Sequence, residues 1–240
     1  SDPTFYTYIS KSKDDSVIYI HHSNTDKTGV TLIDADNPTS QSEVFLPIKD
    51  GQEYSVAKAS DGYYVLTNID AKNFKVMKAP LDATSDVSKW QEVVPHRPEV
   101  FLQNIEVMKN HLVVKEKENG MLRLVVHNLT SNEQKVIPTQ DPIYGAYFNA
   151  NPEMDTNKLR IYYSSLTTPS SIIDINLDTL ESEVMKQTRV SDTFDSSDYA
   201  SERVMIEARD GAMVPVSLVY RKDKFKKDGT NPLYQYAYGS

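Results

Sequence analysis

Histidine, serine and carboxylate side chains are the groups that could do chemistry in this chain, and the histidines come first. They lie at positions 21, 22, 96, 111 and 127, and no pair has the spacing of a zinc motif such as H-E-x-x-H. His21 and His22 are adjacent, so on a strand they would point to opposite faces and could not easily share a ligand. The chain has no cysteine, hence no thiolate for a metal and no disulfide. This pattern predicts structural histidines, no metal and no cofactor.

The serines and carboxylates form no catalytic motif either. No serine lies in G-x-S-x-G, which presents a nucleophile between a strand and a helix, and glycine-rich phosphate loops are absent. Asp34 and Asp36 could share one face, but they lie where a strand meets a turn, which favours simple solvation. Asn128-Leu129-Thr130 matches a glycosylation sequon, and without a secretion signal we interpret it as a chance match. We therefore expect no complete catalytic centre in this chain.

Charge and hydropathy limit the classes of partner. The 34 acidic residues exceed the 26 basic ones, giving a net charge of −8, whereas nucleic-acid-binding surfaces are usually basic. No apolar run is long enough to cross a bilayer and no leader sequence opens the chain. We expect neither a nucleic acid nor a membrane as a partner. The absence of cysteine suits a reducing compartment, so we expect a cytoplasmic protein, with the periplasm left open.

The elements that would position any site recur along the first 190 residues. One set of short β-rich runs begins at positions 17, 63, 112 and 159, which are separated by 46, 49 and 47 residues. Each of these runs is preceded by one run and followed by two more. The four units comprise runs at 5–9, 17–20, 30–33 and 43–46; at 54–58, 63–66, 74–77 and 91–94; at 100–107, 112–115, 122–125 and 134–137; and at 143–149, 159–163, 172–175 and 182–185.

Four strands per unit, repeated at this interval, are typical of a β-propeller. A single four-stranded sheet cannot bury both faces alone, so successive sheets stack as blades. Asp61-Gly62 and Asn119-Gly120 are hairpin dipeptides at two of the predicted turns. A plain β-sandwich is the alternative, but it predicts no fourfold recurrence of one strand order. The tyrosine pairs Tyr6/Tyr8 and Tyr162/Tyr163 are expected to take part in packing of the propeller rather than to stack on a ligand.

The pattern changes after residue 190. Residues 191–200 are polar and acidic and predict an interdomain linker. Residues 202–209 and 214–220 predict a hairpin around Asp210-Gly211, and 232–238 predict a further buried strand. We therefore expect propeller blades in 1–190, a linker in 191–200 and the first strands of a second domain in 201–240. The abrupt ends of the chain suggest the boundaries of a larger protein.

Several motifs resemble those of one family of peptidases. They are Asp198-Tyr199-Ala200-Ser201-Glu202-Arg203, Ala208-Arg209-Asp210-Gly211, Val214-Pro215-Val216-Ser217-Leu218-Val219-Tyr220, Tyr236-Ala237-Tyr238-Gly239-Ser240, and earlier Trp90-Gln91-Glu92-Val93 and Tyr163-Ser164-Ser165-Leu166-Thr167-Thr168-Pro169. These segments, in this order, resemble the prolyl oligopeptidase family, and most closely its oligopeptidase B branch. The resemblance covers essentially the whole chain.

The resemblance implies a fold and an activity for the parent protein. Members have a seven-bladed propeller over an α/β-hydrolase domain and are serine peptidases of short peptides; the oligopeptidase B branch cleaves after Arg and Lys. The chain would hold the last four blades, an all-β partial propeller, and the opening strands of the hydrolase domain. The catalytic Ser, Asp and His would lie beyond Ser240. By resemblance, the hydroxyl of Tyr238 would be an oxyanion-hole donor, which without the serine would act only as a strand-end tyrosine.

The resemblance also implies a division of roles. The propeller would admit only short peptides, the linker would act as part of a hinge, and the chain alone would be an inactive fragment. Its partners would be the remainder of the peptidase domain and, in the parent enzyme, short basic peptides; an open arc of blades would also self-associate. The alternative is a stand-alone propeller that binds a protein or peptide. The hydrolase-like residues 232–240 argue against that alternative.

Overall fold

Antiparallel β-strands dominate the structure, a computed structural model that describes residues 4–237. Four four-stranded sheets follow one another along the chain. Their strands are β1 (Tyr6–Lys11), β2 (Val17–Ser23), β3 (Thr28–Asp34) and β4 (Glu43–Val44); β5 (Tyr54–Ala59), β6 (Gly62–Thr67), β7 (Lys75–Ala79) and β8 (Gln91–Val94); β9 (Val100–Met108), β10 (His111–Glu118), β11 (Met121–Asn128) and β12 (Gln134–Val136); and β13 (Tyr144–Phe148), β14 (Lys158–Ser165), β15 (Ser171–Asn176) and β16 (Ser182–Gln187).

Each sheet pairs its strands in chain order, so the fourfold repeat predicted from the sequence is confirmed. One sandwich shared by all the strands, the alternative, is wrong. The two turn residues themselves determine the conformation of the β10–β11 hairpin. Asn119 and Gly120 have φ of 51° and 73°, the two positive values that a tight hairpin turn demands, and they join the paired residues Glu118 and Met121.

An aromatic cluster packs the first sheet against the second. Phe45, which follows β4 and is fully buried, lies 5.9 Å from Tyr54, 5.4 Å from Tyr63 and 5.9 Å from Trp90, measured between ring centroids. A second apolar cluster joins the second sheet to the third, through residues such as Leu66. Buried aromatic and aliphatic area between successive sheets is the main source of stability in such a stack.

Polar groups also join the first sheet to the second and to the third. The Tyr54 hydroxyl accepts the N–H of Val30 at 2.9 Å and donates to the Leu46 carbonyl at 3.3 Å, which fixes the second sheet on the first. Lys13, in the β1–β2 turn, lies 2.6 Å from Glu106 and donates to the Val107 carbonyl at 2.7 Å, both in the third sheet. These contacts tie the first sheet to both the second and the third.

The chain divides into two compact units. Of the described residues, those up to 138, 148–161 and 174–183 form the first, and 139–147, 162–173 and those from 184 onwards form the second. The second unit contains a short 3₁₀ turn (Ser196–Asp198) and a hairpin of β17 (Tyr199–Glu207) and β18 (Met213–Arg221), in full register from Tyr199↔Arg221 to Glu207↔Met213.

One sequence prediction in this region is wrong. Residues 232–237 form no strand, and Leu233, Tyr234 and Tyr236 are at least 80% exposed. The apolar pattern is that of a buried strand, but a strand needs a hydrogen-bonding neighbour, and among residues 4–237 none pairs with this segment. No helix within 4–237 has both the length and the apolar character needed to span a membrane.

Candidate functional site

The histidines occupy separate places in the structure, each with its own surroundings. His21 contacts the Ser10 hydroxyl at 2.7 Å, and His22 contacts that of Thr7 at 3.2 Å. Burial and the neighbouring His22 lower the pKa of His21, and burial lowers that of His127. Within residues 4–237 no group of three or more His, Cys, Asp or Glu side chains could hold a metal ion.

The other residues singled out in the sequence have local structural partners. The Asp34 carboxylate accepts the N–H of Asp36 at 3.0 Å, and both residues are exposed, as solvation predicts. The Asn128 side-chain oxygen accepts the N–H groups of Thr130 and Ser131, both at 2.9 Å, so this residue shapes the turn after β11.

The tyrosine pairs do not all pack as expected. Tyr6, Tyr8 and Tyr162 are 80%, 56% and 50% exposed, whereas Tyr163 is buried. Tyr8 nevertheless stacks on His21 with ring centroids 4.4 Å apart. Adjacent residues of a strand point to opposite faces, so Tyr162 and Tyr163 could not both enter one core. The packing expectation therefore holds for Tyr163 and fails for Tyr162. Tyr238, the expected oxyanion donor, lies outside the described residues.

The most elaborate polar arrangement in the second unit surrounds Asp141, which lies before β13. Its carboxylate accepts hydroxyl hydrogen bonds from Tyr163 at 2.8 Å, Thr167 at 2.9 Å and Thr168 at 2.8 Å. Ser165 completes this group, because its hydroxyl accepts the N–H of Thr167 at 3.0 Å and of Thr168 at 2.8 Å. We call these five residues the Asp141 cluster. It fastens the connection between β14 and β15 to the chain that enters the fourth sheet.

The charge of Asp141 stabilises this arrangement. Burial alone would raise the pKa of its carboxyl, but the hydrogen bonds from Thr168, Tyr163, Thr167 and Ser165 together hold the pKa below its ordinary value. A lowered pKa in the folded state means that the contribution to stability is present above the ordinary carboxyl pKa and is lost as the pH falls below it. At neutral pH the cluster is therefore intact.

The sequence did not reveal the Asp141 cluster. The segment from Ser165 to Thr168 stood out as a motif, but nothing in its spacing pairs its two threonines with a carboxylate 26 and 27 residues earlier. The available signals were an Asp-Pro dipeptide before a predicted strand and a run of hydroxyl residues at a predicted turn. The sheet topology brings the two together.

The comparison with known families decides what these sheets are. Residues 1–188 match the family model described as the prolyl oligopeptidase N-terminal beta-propeller domain. The chain belongs to the prolyl oligopeptidase family. The four sheets are therefore blades of the N-terminal propeller of a serine peptidase family, as the resemblance implied.

Relatives of this prolyl oligopeptidase chain match it from end to end. It is 37% identical over its whole length to dipeptidyl aminopeptidase BI from Pseudoxanthomonas mexicana and 32% identical to protease 2 from Moraxella lacunata, covering 33% and 34% of those proteins. Oligopeptidase B from Trypanosoma brucei, solved in a closed form with covalently bound antipain, superposes with a TM-score of 0.83 at 27% identity. That match covers 97% of this chain and 34% of the other. The chain thus spans about a third of the length of its relatives.

Proposed function

We propose that this chain is the cap-and-hinge part of a serine oligopeptidase that hydrolyses short peptides after Arg or Lys. In this proposal a further segment of the longer protein supplies the triad of Ser, His and Asp, and acyl transfer proceeds through a serine nucleophile. The four blades cover the catalytic domain and admit only short peptides. The segment 191–200 forms part of the hinge through which the two domains part. The chain alone is inactive.

The observation that carries this proposal is the order of the two parts along one chain. A propeller match over residues 1–188 is followed by the β17–β18 hairpin, and the likeness to protease 2 and to oligopeptidase B continues across both. A stand-alone binding propeller would have no use for the hairpin. The packing supports the role of the cap, because the Phe45 cluster joins the first blade to the second and the Lys13–Glu106 pair joins the first blade to the third.

The test compares this chain with the longer protein that contains it. The longer protein is expected to hydrolyse fluorogenic arginyl and lysyl peptides and to be labelled by a fluorophosphonate probe, because both reactions require an activated serine. The 240-residue chain is expected to do neither. For size selection, one cleavable sequence is presented as a ten-residue peptide and within a folded protein, and only the peptide is expected to be cut.

Two results would contradict the proposal. Stoichiometric labelling of the chain would reveal a reactive serine within it. Equal cleavage after acidic, apolar and basic residues by the longer protein would remove the proposed preference.

Release of dipeptides is a second candidate activity. It is favoured by the 37% identity to a protein named dipeptidyl aminopeptidase, a higher value than that to protease 2. A peptide with one internal arginine, tested with a free and with an acetylated N-terminus, distinguishes dipeptide release from cleavage after arginine. A dipeptidyl peptidase would act only on the free N-terminus and release two residues at a time. An endopeptidase would cut both forms after the arginine.

The apolar surface of the hairpin suggests the first partner of this chain. Near the tip of the β17–β18 hairpin, Ile206 and Val214 lie on one face and Met205 and Met213 on the other, and each is at least 44% exposed. Exposed apolar patches of this kind mark surfaces that another element covers. We propose that the remainder of the peptidase domain covers this surface in the longer protein, which we place in the cytoplasm. Fractionation of cells that express the longer protein would test that location.

The first sheet offers a surface for self-association of the isolated chain. Ile9 pairs with Ile20 and Ile18 pairs with Ile33, so four isoleucines share one face, and Ile9 is 71% exposed. We expect the isolated chain to associate through this face as its concentration rises, because association removes apolar area from water. Light scattering across a concentration series measures this, and Ile9→Lys with Ile20→Lys should shift the chain towards monomer. A monomer at high concentration would contradict the expectation.

A further inference from the structure

Leu166 lies in the connection between β14 and β15, and its side chain is 50% exposed although its neighbours are tightly fixed. Before it, Ser165 accepts two backbone N–H groups; after it, Thr167 and Thr168 donate to Asp141. The Ser165 N–H donates to the Thr168 carbonyl at 3.0 Å, which closes the turn. The fold thus holds an apolar side chain towards solvent at a fixed position.

Topology places this turn where the chain leaves the propeller. In an antiparallel sheet whose strands pair in chain order, the end of β14 and the end of β16 lie at the same end of the sheet. Two hydrogen bonds agree with this placement: the Thr188 N–H donates to the Ser170 carbonyl at 2.8 Å, and the Gln187 side chain donates to the Ser171 hydroxyl at 3.0 Å. From there the chain continues to the β17–β18 hairpin, which belongs to the same compact unit as the turn.

We propose that Leu166 is a fixed contact of the propeller on the peptidase domain, and that Asp141 is the positioning residue that presents it. The inference rests on the proposed function, since it requires a peptidase domain that begins with the β17–β18 hairpin. A pre-ordered side chain loses little conformational entropy on docking, so a rigid turn makes a better contact than a mobile loop. Burial of the apolar Leu166 side chain when the two domains close lowers the free energy of the closed state.

The experiment uses the longer protein with Leu166→Ser and, as a matched control, Leu81→Ser. Leu81 is 46% exposed and follows β7, the third strand of the second sheet. The β6–β7 turn of that sheet is the equivalent of the β14–β15 turn. Leu81 lies at the opposite end of the sheet from this turn. A broad-specificity protease is added in small amounts, and mass spectrometry follows cleavage within residues 191–198. Domain contact limits opening of this linker, so Leu166→Ser is expected to raise its cleavage rate about three- to tenfold. Leu81→Ser should leave the rate unchanged.

Asp141→Asn provides a second variant that keeps Leu166 itself. It weakens the hydrogen bonds that fix the β14–β15 turn. We expect linker cleavage to rise by a smaller factor than with Leu166→Ser, while the melting temperature changes by only a few degrees. Equal rates for wild type, Leu166→Ser and Asp141→Asn would overturn the inference, as would equal acceleration by Leu166→Ser and Leu81→Ser. Linker cleavage does not depend on peptidase activity, so a longer protein without activity would count against the proposed function alone.

Discussion

Changing Glu116 to glutamine is expected to lower the free energy of unfolding by about 3 kcal/mol, a large fraction of the stability of an ordinary domain. The Glu116 side chain on β10 is fully buried and forms ion pairs with Arg97 and with Arg123, which lies directly opposite on β11. Removing its charge leaves two guanidinium groups without their shared partner. The arginine side chains are 33% and 28% exposed, so water can solvate them in part, which keeps the expected cost near the lower end for a buried pair.

Urea denaturation followed by tryptophan fluorescence measures this change, because Trp90, the single tryptophan, lies in the core between the first two sheets. Glu118→Gln is the matched control, since Glu118 pairs with the same Arg123 but is 33% exposed, and its loss should cost less than about 1 kcal/mol. Replacing Glu116, Arg97 and Arg123 together with leucine or methionine should recover much of the stability. A Glu116→Gln variant as stable as Glu118→Gln would show that the buried pairs contribute little.

The blades could be predicted from the sequence because their determinants are local. Alternating apolar residues define a strand, and a dipeptide such as Asn119-Gly120 both ends it and sets the register of the hairpin. Repetition then strengthens each strand assignment, since the same pattern found four times at one spacing is stronger evidence than a single occurrence. The hairpin around Asp210-Gly211 followed from the same local rule.

The side-chain contacts between blades and around Asp141 in the fourth sheet could not be predicted, because they join residues far apart in sequence. Lys13 and Val107 are 94 residues apart, and the three side chains that donate to Asp141 follow it by 22 to 27. Such pairs depend on how the sheets stack and on how the strands of one sheet lie beside one another, and periodicity encodes neither. The strand predicted for residues 232–237 is wrong for a related reason. The segment has the apolar pattern of a strand, but a strand needs a hydrogen-bonding neighbour, and residues 4–237 do not provide one.

A change at Tyr238 is expected to have the largest effect on catalysis. We propose that the Tyr238 hydroxyl is an oxyanion-hole donor in the longer protein, so Tyr238→Phe should lower kcat about a hundredfold, which is typical when one such donor is lost. The carbonyl oxygen of the substrate becomes an oxyanion only in the transition state. A hydrogen bond from the Tyr238 hydroxyl would therefore stabilise the transition state more than the bound substrate. KM should therefore change little while kcat and kcat/KM fall together. Steady-state kinetics with a fluorogenic arginyl peptide measures both constants.

A matched control separates this role from packing. Tyr234→Phe removes a hydroxyl four residues earlier, from a side chain that is 87% exposed in this chain, and should leave kcat within about twofold of wild type. Phenylalanine keeps the ring, so both variants should melt at the wild-type temperature. Labelling by a fluorophosphonate should slow with Tyr238→Phe as well, because the adduct places an oxygen where the oxyanion forms. An unchanged kcat, or a loss carried by KM alone, would exclude Tyr238 as an oxyanion donor.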